Sequence, residues 1–454
     1  MLHLRYVLPV ITSIFLLTFS AIESAAKELP SGKPQREGVS QQRLDRITAY
    51  MNEAVEDGVM IGGMGMVVRN GKIIYSEVYG LADREANREM TEDGLYRIYS
   101  MSKPVVSVAL MMLYEEGRLF LNDPVAKYIP ELANLQVAVA TADGATKMVS
   151  DGTNSTSSST VDEDKTGLTR KAKSQPTVRD LMRHTAGFTY GVFGNTEVDK
   201  QYREANILFN KDLKEFVTEL GKIPLQYDPG TRWHYSVSVD VMGRVVEAIS
   251  GMSLGEFLEQ RIFAPLEMND TAFTVPTAKM DRLVQMYSPE GLGEGLEAFM
   301  KPATSSKLVP TSAEVSKSFM EGATFQSGGG GLISTARDYM RFSQMMLDNG
   351  ALNGVRLLSR KSVELMTTNH MGGVEHPFSG GRAGFGLGFA VAIDQGAVGE
   401  LGSVGEFNWG GAAGTTFWID PREQLIGLFM VQSIPHRTRL GKTFKLLTYQ
   451  SIED

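Results

Sequence analysis

The sequence predicts an α+β fold in which an antiparallel sheet is drawn from both ends of the chain and flanked by helices, with an all-helical part between. Three observations carry this: a hairpin signal near the start, helical patterns from 126 to 299, and a return of strand-like runs from Gly384 onward.

Taken in order, Ser40 can cap a helix with Leu44, Ile47, Met51 and Val55 on one face, stopped by Gly58. Residues 62–68 and 72–79 are rich in β-formers and joined through Asn70-Gly71, a dipeptide that accepts the positive φ angles of a two-residue turn. The start is therefore antiparallel and not a βαβ unit. Helical signals follow at 177–183, at 211–220 ending at Gly221, and at 238–249 ending at Gly251. Within the helical part, 141–174 is rich in Ser, Thr, Gly, Asp and Lys, and 155–160 has no apolar periodicity, which predicts a mobile surface loop. Strand-like runs return at 384–393, 414–419 and 425–431, and a last helix is expected from Thr438. The expectation is one domain over 38–450, with an α/β part at 38–125 and 300–450 and a helical part at 126–299.

With 454 residues, 42% of them hydrophobic, the chain can bury a large core. A formal charge of −8 without any block of Lys and Arg argues against a nucleic-acid partner. Cysteine is absent, which excludes disulfides, thiol catalysis and cysteine-ligated zinc. Arg5, the mostly apolar residues 6–21 and the small residues Ser24-Ala25-Ala26 predict an export signal over 1–26, and hence a periplasmic or secreted protein. The apolar run is interrupted by Pro9, Thr12 and Ser13 and is shorter than the ~20 residues of a membrane span, so no stable span is expected after cleavage.

Six histidines (His3, His184, His234, His370, His376, His436) lack the spacing that puts two ligands on one helix face, so no metal is expected. The glycines 328–331 precede a helix expected from Thr335 and lack the acidic partner of a nucleotide fingerprint; no cofactor is expected. Two serines remain. Gly251-Met252-Ser253-Leu254-Gly255 matches G-x-S-x-G, but that elbow needs a strand before the serine, and here a helix precedes it. Ser253 reads instead as the cap of the next helix.

Ser100-Met101-Ser102-Lys103 is the S-x-x-K arrangement, with hydroxyl and amine on one helical face. Serine needs an adjacent base, and a lysine among apolar neighbours such as Val105, Val106 and Leu110 can serve. Ser24-Ala25-Ala26-Lys27 fits the same pattern inside the expected signal, so context decides. Pro104 suits a first helical turn, 105–113 is apolar, and Gly117 marks an end. A helix amino terminus also favours developing negative charge.

Residues 99–130 (YSMSKPVVSVALMMLYEEGRLFLNDPVAKYIP) resemble the nucleophile helix of the β-lactamase-related family, which includes class C β-lactamases, D-alanyl-D-alanine peptidases and family VIII carboxylesterases. Residues 176–188 (PTVRDLMRHTAGF) and 228–236 (DPGTRWHYS) resemble further segments of that family, and Trp409-Gly410-Gly411-Ala412 falls where it has a Lys-Thr-Gly strand. The resemblance implies a class C β-lactamase-like fold, Tyr235 as the partner of Lys103 in acid–base work, and an oxyanion hole from the backbone N–H groups of Ser100 and Ala412. It also implies substrate contacts at Trp409, Gly410 and Gly411. Tyr190 and Phe193, in the stretch GFTYGVFGN, can border an acyl pocket, although ordinary packing explains each equally well.

Two positions depart from the β-lactamase pattern: Val237 replaces an asparagine and Trp409 replaces a lysine, so polar and carboxylate recognition of a lactam is weakened. Trp-Gly-Gly is similar to the family VIII esterases, which implies hydrolysis of small short-acyl esters through an acyl-enzyme on Ser100. The alternatives are a β-lactamase or D-alanyl-D-alanine carboxypeptidase acting on a peptide-like substrate, and an exported binding protein that merely retains the fold.

Overall fold

The computed structural model describes residues 29–139, 169–292, 298–299, 301–302, 305–374 and 383–454. The expected export signal with its Ser24 motif, the 141–168 part of the expected loop, His3 and His376 lie outside the described residues.

An eight-stranded antiparallel sheet frames the molecule. Its strands, numbered in chain order, are β1 (Gly62–Arg69), β2 (Lys72–Asp83), β3 (Arg88–Glu89), β4 (Ala383–Phe385), β5 (Ala390–Ala392), β6 (Phe407–Gly410), β7 (Thr416–Asp420) and β8 (Leu425–Val431). The spatial order is β4-β5-β6-β7-β8-β1-β2-β3, so the two ends of the chain meet at its centre, with Gly63 opposite Val431 and Arg69 opposite Leu425. Asn70 and Gly71 turn β1 into β2 with φ of 53° and 71°, the conformation expected of that dipeptide.

Side chains on β1 alternate between two cores, as the period of a strand requires. Val67 joins Leu44, Ile47 and Met51 of the helix Gln41–Glu56 and Phe444 of the helix Leu440–Tyr449. Met64, Met66 and Val68 join Val105, Val108 and Met112 of the helix Ser102–Glu115 and Tyr339 and Phe342 of the helix Ala336–Leu347. The helix Ser102–Glu115 is buried from Ser102 to Leu113 because it packs on the helix Ser238–Ser250 and shares a core with side chains of β1. It is thereby a rigid mount for whatever its amino terminus presents.

The expected helices appear at Val178–Met182, Leu213–Leu220 and Ser238–Ser250, the last closed by Gly251 at φ 78°. A further one at Glu197–Glu204, started by a Thr196–Asp199 capping box, was not foreseen. Three expectations are corrected. Thr169–Lys171, the described start of the last part of the expected loop, is a strand paired with Gln136–Ala138, inside the stretch expected to be all helical. Its charged, exposed residues read as loop in sequence, but Arg170 is held by two contacts to Asp228, at 2.9 and 2.5 Å. The run 384–393 is two strands, because a Cβ at Gly386 would lie 2.1 Å from the Met366 carbonyl oxygen and Gly388 has φ 98°. The last helix begins at Leu440, with the Thr438 hydroxyl accepting from the Leu440 N–H ahead of it. Among the described residues no helix is long and apolar enough to cross a membrane.

Candidate active site

Ser100 lies on a 3₁₀ turn, Tyr99–Met101, that feeds the helix Ser102–Glu115. Tyr99 holds φ 43°, a left-handed conformation that aromatic residues rarely adopt, and its ring is fixed edge-on against Phe319 at 5.4 Å. Lys103, only 1% exposed, donates from Nζ to Ser100 Oγ at 3.1 Å and to the Gly329 carbonyl at 2.5 Å. Its Nζ lies 4.7 Å from the Tyr235 ring centre and 5.2 Å from that of Tyr190. The amine is therefore cradled by two phenol rings and one carbonyl, and Val105, Val106 and Leu110 belong to the buried core beneath.

Tyr235 is buried in an aromatic cluster. Trp233 stacks on it at 6.0 Å with an interplanar angle of 9°, and Tyr190, Phe193 and Trp409 surround it at 5.3, 5.9 and 5.5 Å. The Trp409 indole N–H donates to the Tyr235 hydroxyl at 3.3 Å. The residue standing in for the family's lysine thus touches the phenol directly, as a neutral donor.

A cleft of about 540 Å³ opens over these groups, lined by Ser100, Tyr235, Phe193, Trp409, Gly410, Gly411 and Ala412. A Cβ at Gly411 would stand 2.5 Å from the Ile98 carbonyl oxygen, so glycine here brings the end of β6 against the turn that carries Ser100, not against the cleft alone. Ala412 follows at once, and neither its N–H nor that of Ser100 donates to a backbone acceptor among the described residues. Tyr190 packs behind, on Tyr235 and Lys103, whereas Phe193 is 38% exposed at the cleft wall.

Several residues at the site went unseen in the sequence. Phe299 lines the cleft and meets Phe193 edge-on at 6.0 Å, and Arg437 donates to the carbonyls of Ala298, Phe299 and Lys301. Lys442, also at the cleft, pairs with Glu400 at 3.3 Å. Asp240 is fully buried near Lys103, and burial raises its carboxyl above the usual range against the opposing pull of the Ser327 hydroxyl. Burial likewise raises the Tyr190 phenol, with the Asp240 charge adding to it. His436, another lining residue, is pushed down to about 4 by burial and is neutral at pH 7.

Ser253 is elsewhere employed. It caps the helix Leu254–Leu258 in a reciprocal box with Glu256, accepting from the Glu256 N–H and donating to its carboxylate at 2.9 Å. Among the described residues no three His, Asp or Glu side chains gather as metal ligands do.

The β-lactamase family profile matches residues 47–448. Protein Rv1367c of Mycobacterium tuberculosis is 33% identical over 402 residues, covering 86% of this chain and 90% of that protein. Esterase EstB of Burkholderia gladioli is 28% identical, over 83% of this chain and 86% of its own. Among solved structures, EstCE1, described as a hydrolase with promiscuous acyltransferase activity, superposes with a TM-score of 0.71 over 90% of this chain and 99% of its own, at 23% identity. With a match over most of its length and a shared antiparallel α+β architecture, the chain belongs to the β-lactamase family of serine hydrolases.

Proposed function

We propose that the protein hydrolyses small short-acyl esters through an acyl-enzyme on Ser100. The observation that carries this reading is the 3.1 Å contact between Lys103 Nζ and Ser100 Oγ within an aromatic-walled cleft of about 540 Å³. Lys103, as the free amine, takes the Ser100 proton while Oγ bonds to the ester carbonyl carbon. The carbonyl oxygen becomes an oxyanion that the N–H groups of Ser100 and Ala412 would receive. The ester C–O bond then breaks; Tyr235 passes a proton to the departing alcohol and regains one from Lys103. Water attacks the acyl carbon, gives a proton to Lys103, and releases the acid as Ser100 recovers its own.

Two features favour esters over lactams. Trp409 offers a neutral indole where a lactam carboxylate would need a cation. Similarity to EstB, whose name is that of an esterase, points the same way. In export, residues 1–26 would be removed, and the mass of protein recovered from the cell envelope tests this: an uncut chain there would overturn it.

A fluorophosphonate probe should label the protein and fail on Ser100→Ala, and p-nitrophenyl butyrate should be cleaved far faster than nitrocefin. Efficient nitrocefin cleavage with the ester untouched would reverse the substrate order in favour of the lactamase or peptidase alternative. Equal labelling of the parent and Ser100→Ala would remove the nucleophile.

A further inference from the structure

Asp240 stands in the first turn of the helix Ser238–Ser250, fully buried, facing the glycine run 328–331. Its Oδ1 accepts from the Ser327 hydroxyl at 2.5 Å and from the Gly329 N–H at 3.0 Å. The carbonyl of the same glycine accepts from Lys103 Nζ at 2.5 Å, and Lys103 reaches Ser100 Oγ at 3.1 Å. One residue thus has its N–H held by a carboxylate and its C=O held by the amine.

A Cβ at position 329 would lie 2.5 Å from Asp240 Oδ2 and 2.8 Å from the Tyr190 hydroxyl, so glycine alone lets the loop come this close. Oδ2 itself is buried without a hydrogen-bond partner. A carboxylate in the first turn gains from the helix dipole at the surface as well as in the interior; what distinguishes this one is the pair of donors that its Oδ1 holds.

We propose that Asp240 is a positioning residue for the base: it fixes the Gly329 peptide so that its carbonyl anchors one N–H of Lys103 and directs the nitrogen lone pair at Ser100. The proposal rests on the hydrolase reading above, in which Lys103 must take the serine proton. Loss of the anchor leaves the amine free to rotate while the cleft that binds the ester is intact. The cost therefore falls on kcat, not KM.

The test compares purified Asp240→Ala and Asp240→Asn with the parent on p-nitrophenyl butyrate and on the fluorophosphonate. Asp240→Ala should lose about 100-fold in kcat, the scale of a misplaced catalytic group, with KM near that of the parent and a parallel loss in labelling rate. Asp240→Asn, which keeps an oxygen on the Gly329 N–H, should recover most of both. Should Asp240→Ala fail to fold, Ser327→Ala removes a single hydroxyl contact and should lower kcat about 2–10-fold, the worth of one hydrogen bond. An Asp240→Ala enzyme with unchanged kcat, a change confined to KM, an Asn variant as damaged as Ala, or an unaffected Ser327→Ala would each overturn the proposal. A parent that neither labels nor cleaves the ester would instead defeat the hydrolase reading on which it stands.

Discussion

Ser100 and Lys103 become a pair through the surroundings of the amine: two phenol faces, the Gly329 carbonyl and the serine oxygen occupy its directions. Removing the amine while keeping its aliphatic volume should leave the fold and the cleft intact. Lys103→Met is therefore expected to lower kcat/KM on p-nitrophenyl butyrate by about 10²–10⁴, the range of a general base. A loss below threefold in a steady-state assay would assign the proton transfer to Tyr235 alone. Lys103, Tyr235 and Ala412, gathered around Ser100, could be nominated from the sequence because each sits in a short ordered motif. Asp240, Gly329 and Phe299 could not, because each comes from a segment whose local pattern serves another element and whose nearness to Lys103 or Phe193 is a product of long-range packing.

Elements were legible where a local signal has one conformational answer. Asn70-Gly71 made the hairpin, and the Ser253–Glu256 box made a helix start out of a nucleophile look-alike. Ser253→Ala should cost about 1 kcal/mol of stability, as loss of a cap does, and leave fluorophosphonate labelling unchanged; lost labelling would return Ser253 to candidacy. The strand Thr169–Lys171 escaped notice because its tie is tertiary. Arg170 beside Asp228 draws that carboxyl down to about 2. A depressed carboxyl stabilises fully above its unfolded pKa of about 3.9, and the contribution fades as pH falls toward the folded value. The melting-temperature gap between the parent and Asp228→Asn should thus be widest near pH 6 and narrow below pH 4. A gap that widens on acidification would contradict the sign.

At the scale of the molecule, β1 and β8 join the two chain ends at the centre of the sheet, and the helix Leu440–Tyr449 seals that junction. Phe444 packs against Tyr75, Trp418 and Phe429, over Gly65, where a Cβ would stand 2.5 Å from its ring. Truncating it leaves a cavity that a rigid sheet cannot refill. Phe444→Ala should cost about 3–5 kcal/mol in denaturant unfolding. A change under 1 kcal/mol would mean that this junction is not a seat of stability.

The sequence by itself determined the secondary structure that local sterics dictate, the family motifs, and the preference for Ser100 over Ser253, since turn residues, caps and periodicity act within a few residues of one another. Only the tertiary structure decided which groups hold Lys103, why residue 329 must be glycine, how 384–393 breaks into two strands, and what lines the cleft. Those depend on distances between segments far apart in the chain, from Lys103 to Gly329, 226 residues on, or from Tyr235 to Trp409, 174 residues on, and such distances are set by how the sheet and helices pack, which no local pattern encodes.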